Sequence, residues 1–146
     1  IVDGPLSKTR RGRAAAENIV PTTTGASTAT TKILPELEGK FEAMAIRVPV
    51  PTGSITEMVV DLPGNPGVDE LNDAFVEYAE GDLEGSMGVT DDPIVSRDII
   101  GQTYGSVVDL KKTSTVEGGK LAKVFAWYDN EMGYTGQMMR LAEDLV

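Results

Sequence analysis

The chain has 146 residues, 13 Lys and Arg against 23 Asp and Glu, a net charge of −10, and neither cysteine nor histidine. These counts exclude disulfides, zinc–thiolate sites, a thiol nucleophile and the usual neutral-pH general base within these residues. The charge repels nucleic acid and anionic membranes, no run approaches the roughly 18 apolar residues of a membrane span, and the length suits one ordinary domain.

The acidic excess suits a salt-rich cytoplasm, where counterions screen self-repulsion, so a halophilic, cytoplasmic origin is expected. The first residue is Ile1 and no secretory leader is recognisable, which fits a processed or excised chain.

Residues 1–23 read as an extended loop with one short helical turn in "RAAAENI", ended by Pro21. Residues 25–34 read as a helix, with Thr24 or Ser27 able to cap it and Pro35 stopping it. Val48 and Val50 alternate with Arg47 and Pro49, which predicts a strand over 42–50. "PTG" is a turn, and "SITEMVVDL" predicts a second strand over 54–62, antiparallel to the first because the connection is short.

After the breaker "PGNPGV", "DELNDAFVEYAEG" is amphipathic. Leu71, Phe75, Tyr78 and Ala79 share a helical face, and Gly81 is a C-terminal cap. "SMGVT", "PIVSRDII" and "YGSVVDL" read as short strands, residues 120–128 as a longer one. Residues 129–146 read as a helix with Met138, Leu141, Ala142 and Leu145 facing inward. The order implies an α+β layer arrangement: a mixed, largely antiparallel sheet with helices on one face.

Several stretches carry candidate chemistry. "SKTRRGRAAAENIVPTTTGAS" sets Arg10, Arg11 and Arg13 before a threonine run that opens a helix at Gly25. Arginine forks, helix-start amides and hydroxyls together suit a phosphate, and glycine admits close approach to the backbone. The same residues also read as a capped helix with arginines paired to carboxylates. Arg47, inside "AMAIRVPVP", points either to solvent or to an anion. In "AWYDNEMGY", Asp129 or Asn130 caps the last helix, or Asn130 offers its carboxamide to a ligand. The acid pairs Asp69–Glu70, Asp91–Asp92 and Glu143–Asp144 read as solvated surface, and no metal site is assigned.

"DGPLSKTRRGRAAAENIVPTTTGAS", "LPELEGK", "MAIRVPVP" and "WYDNEMGY", in this order, resemble the catalytic domain of phosphorylating glyceraldehyde-3-phosphate dehydrogenases. The similarity runs almost from Ile1 to Val146 without large gaps. The resemblance implies one catalytic-type domain over 1–146, incomplete, lacking its first helix and strand and the Rossmann domain that binds NAD or NADP. It implies an enzyme that oxidises and phosphorylates glyceraldehyde 3-phosphate to 1,3-bisphosphoglycerate with inorganic phosphate. By the same resemblance the enzyme is a homotetramer, with no nucleic-acid or membrane partner.

Carried over residue by residue, the resemblance assigns inorganic phosphate to Thr24 and Gly25, with help from Arg11. Arg47 would reach the phosphates. Asn130 would hold the nicotinamide carboxamide, and Tyr134 would pack beside the ring. The family's catalytic cysteine and histidine lie upstream of the residues matched here, so this stretch alone is expected to be inactive. Thr52, Met132 and "TGQMM" depart from the family pattern on the nicotinamide side. An erythrose-4-phosphate dehydrogenase, or a non-catalytic phosphate-binding or assembly module, are the alternatives.

Overall fold

The computed structural model describes residues 3–145. Its contacts divide the chain into two compact units, Ile1–Pro51 and Thr52–Val146.

In the first unit, a 3-10 turn over Thr9–Gly12 precedes strand β1 (Val20–Thr23) and helix α1 (Ala26–Ile33). A second 3-10 turn, Pro35–Leu37, leads to strand β2 (Met44–Arg47). The helical turn forms earlier than the composition of "RAAAENI" suggests. That stretch keeps only isolated turns, and Val20–Thr23, expected to be loop, is a strand. β1 pairs with β2 antiparallel, Thr23 opposite Met44 and Val20 opposite Arg47. Pro21 is accommodated because each strand of a two-stranded sheet has an open edge, where a missing N–H costs nothing. Gly12 is buried, and a Cβ there would collide with the carbonyl of Gly4, whose amide donates to Gly12 O at 2.7 Å.

The second unit is built on strands β3 (Ser54–Asp61), β4 (Met87–Thr90), β5 (Ser106–Asp109), β6 (Ser114–Val116) and β7 (Leu121–Tyr128). Their sheet order is β3-β7-β5-β4, with β6 also on β7. Only β4–β5 is parallel. The result is a mixed, largely antiparallel sheet with helices, the α+β class expected. β7 alternates as a half-buried strand should: Ala122, Val124 and Ala126 are buried with Val107, Val108 and Ile99.

Four further expectations are corrected. The strand that ends at Arg47 and the strand that starts at Ser54 do not form a hairpin: β2 pairs with β1, and β3 pairs with β7 along its whole length. "PIVSRDII" is a run of turns that buries Ile99, not a strand. Helix α2 (Val68–Glu80) packs on β4 with Leu71 and Phe75 half-buried, but Tyr78 is exposed.

The fourth concerns helix α3 (Met132–Asp144), where Met138, Leu141, Ala142 and Leu145 are all exposed. α3 is held instead by its small and polar side. A Cβ on Gly133 or Gly136 would press on the carbonyls of Tyr104 and Thr103. Gln137 Nε2 donates to Thr103 O at 2.9 Å and Gly85 O at 3.0 Å, and Arg140 Nη2 to Glu84 O at 2.7 Å. Close backbone approach, which only glycine permits, has replaced apolar-stripe packing on this face. Among the described residues no helix is long and apolar enough to cross a membrane.

Candidate functional site

The cation-rich stretch folds against the threonine run within the first unit. Together they line a cavity of about 600 Å³ with Lys8, Arg10, Arg11, Thr22, Thr24 and Ser27, among others. Arg11 is not loose. Its Nη2 donates to Thr23 O at 3.0 Å and more weakly to Thr23 Oγ1 at 3.5 Å. That contact holds the guanidinium beside the strand that delivers the threonines, and among the described residues its other N–H groups make no hydrogen bond. Arg13 takes the bland reading instead: it pairs with Asp3 at 3.1 Å. The Ala14 amide, first of all, and Arg13 then hold the Asp3 carboxyl below the usual carboxylate range.

Thr24 and Gly25 sit where α1 begins. Thr24 Oγ1 accepts from the Ala26 amide at 3.1 Å in a local turn, while Gly25 holds the N-cap position, which has no side-chain cap bond. The first-turn amides of a helix have no intrahelical acceptor. Among the described residues, those of Ser27 and Thr28 find no substitute either. Gly25 has φ −83°, and a Cβ there would meet nothing within 4 Å. Neither backbone conformation nor a neighbour requires glycine at this position, in contrast to Gly12. Space next to open amides at the positive end of a helix suits an anion.

Arg47 closes β2 at the opposite end from Met44, which lines the cavity. It is exposed, and it lies roughly 10 Å of strand from the threonine end. Arg11 and Thr24 therefore line the same cavity, Gly25 lies between the lining residues Thr24 and Ser27, and Arg47 stands outside the lining. Lys8 and Thr23, inside the cation- and threonine-rich stretch, also line the cavity, as does Glu42, which no sequence signal marked.

The second unit carries the other candidates. Asp129 is buried at the β7–α3 junction. Its Oδ1 accepts from the amides of Glu131 and Met132, both at 2.9 Å, and its Oδ2 accepts from Gly101 at 2.9 Å. Asp129, not Asn130, is thus the cap, and it also ties down the 101 turn. The Gly101 amide, then those of Met132 and Glu131, hold its carboxyl below the ordinary aspartate value.

Asn130 is thereby left exposed. Its Oδ1 accepts from the Ser54 hydroxyl at 2.7 Å, which fixes the carboxamide and leaves Nδ2 to donate elsewhere. Tyr134, one helical turn further on, is 72% exposed. Asn130 thus presents an oriented amide donor and Tyr134 an exposed ring. Among the described residues no group of His, Cys, Asp and Glu could hold a metal.

A family model described as "Glyceraldehyde 3-phosphate dehydrogenase, C-terminal domain" matches residues 1–130. The chain is 54% identical over 143 residues to the glyceraldehyde-3-phosphate dehydrogenase of Haloarcula vallismortis, covering 98% of this chain and 42% of that protein. It is 52% identical over 147 residues to that of Streptococcus pyogenes, covering 98% of this chain and 43% of the relative. It is 48% identical over 141 residues to glyceraldehyde-3-phosphate dehydrogenase 2 of Streptomyces avermitilis, covering 97% and 42%. The chain thus spans about two fifths of the length of the curated relatives it matches, and it belongs to the glyceraldehyde 3-phosphate dehydrogenase C-terminal domain family.

Proposed function

We propose that this chain is the phosphate-handling part of a phosphorylating glyceraldehyde-3-phosphate dehydrogenase. The observation that carries the reading is the cavity of the first unit. Lys8, Arg10 and Arg11 surround hydroxyls and open helix amides there, in a chain whose net charge is −10. In this reading Arg11, Thr24 and Gly25 bind inorganic phosphate. Arg47 steers and neutralises the phosphate of glyceraldehyde 3-phosphate. Binding and orienting these anions lowers the entropic barrier to acyl transfer.

Asn130 would hold the carboxamide of a nicotinamide ring through Nδ2, with Tyr134 against the ring. NAD or NADP, when bound, supplies the hydride acceptor. The sequence contains no cysteine and no histidine, so the thiol chemistry belongs to residues outside it. A homotetrameric, cytoplasmic enzyme is part of the same proposal.

The test is calorimetric titration of inorganic phosphate into the protein and its Arg11→Ala and Arg47→Ala variants. Each substitution is expected to weaken binding by about 1.5–3 kcal/mol, the worth of hydrogen bonds to a charged group. Unchanged affinity in both variants would leave the arginines as solvated surface and sink the reading.

A further inference from the structure

Glu42 lines the same cavity as Lys8, Arg10 and Arg11, and it is the only acid among the residues lining it. It makes no ion pair and no side-chain hydrogen bond among the described residues, where the ion pairs are Arg13–Asp3 and Lys123–Glu57. Among the described residues its acceptor capacity is unspent, in the lining of a cavity that also carries three cations.

We propose that Glu42 makes the cavity select inorganic phosphate that keeps a proton over a fully ionised tetrahedral anion such as sulfate. The inference rests on the phosphate reading above. An ionised carboxylate can only accept hydrogen bonds. Toward a bare anionic oxygen it is repulsive. Toward a P–OH group it accepts a short, charge-assisted O–H···O bond. Sulfate offers no proton at neutral pH, and a phosphate monoester loses its last one near pH 6. Inorganic phosphate still carries one. The threonine hydroxyls cannot discriminate in this way, because each donates or accepts as needed. The cations supply attraction common to all three anions, and Glu42 supplies the repulsion that sorts them.

The experiment titrates phosphate, sulfate and glycerol phosphate into the wild-type protein and Glu42→Gln at pH 7 and constant ionic strength. By Coulomb's law, removing a unit charge at a separation on the order of 6 Å from an anion is worth roughly threefold in affinity even in water-like surroundings. The wild type is expected to prefer inorganic phosphate. Glu42→Gln should tighten sulfate and the monoester by about threefold or more while phosphate gains nothing, so that the preference collapses. A gain in affinity cannot come from misfolding. Equal changes for phosphate and sulfate, or no change, overturn the role of Glu42 and leave the phosphate site standing. If the wild type binds none of the three anions, the phosphate reading itself fails, and this inference fails with it.

Discussion

Gly25→Ala separates binding from folding at the start of α1. Gly25 has φ −83° and ψ −1°, which alanine adopts without strain, and the added Cβ meets nothing within 4 Å. Losing the glycine's excess freedom in the unfolded chain favours the variant by about 0.4–1 kcal/mol. Alanine is a poorer N-cap residue than glycine, and no side chain caps α1, so part of that gain is offset. The two effects oppose, and the net change in stability should stay under about 1 kcal/mol.

Binding should behave differently. The methyl group would occupy the approach to the helix-start amides, and one charge-assisted bond lost is worth about 1.5–3 kcal/mol, or roughly ten- to a hundredfold in Kd. Urea unfolding and phosphate titration of the same sample read both quantities. Phosphate affinity equal to wild type would mean that the anion does not approach Gly25. A stability loss above about 2 kcal/mol would make the glycine structural, contrary to the open space around it.

Gly53 gives the opposite case. Its φ is +84°, and a Cβ would lie 2.6 Å from Ser96 O, so Gly53→Ala should cost about 1–3 kcal/mol in urea unfolding. Asp129 predicts an acid limb. Because its folded carboxyl is depressed, its contribution is present above the ordinary aspartate value of about 4 and is lost as pH falls through the folded value. Asp129→Asn should melt below the wild type at pH 7, with the gap closing on acidification; parallel Tm–pH curves would contradict this. The net charge of −10 predicts a melting temperature that rises with salt, so that the protein unfolds first in low-salt buffer. A Tm indifferent to salt would remove the case for salt adaptation.

The sequence by itself determined a good deal of this protein. Period-two and period-3.6 patterns located β3, α2, β7 and α3 within a few residues, and turn residues separated them. The order of "TRRGR", "TTTGAS", "MAIRVP" and "WYDNE" pointed to the family, and the charge and the absence of cysteine and histidine were fixed by composition. Tertiary structure decided everything that depends on partners distant in the chain. Ser54 reaches Asn130 across 76 positions, and Arg11 reaches Thr23 across 12. β2 takes β1 as its partner although β3 follows it closely in the sequence. The apolar stripe of α3 is left exposed, while Gly133, Gly136 and Gln137 make the contact. The physical reason is the same each time. Periodicity reports which local conformation a segment prefers, but pairing, burial and the aim of a side chain are settled by whichever distant group satisfies a hydrogen bond or fills a space.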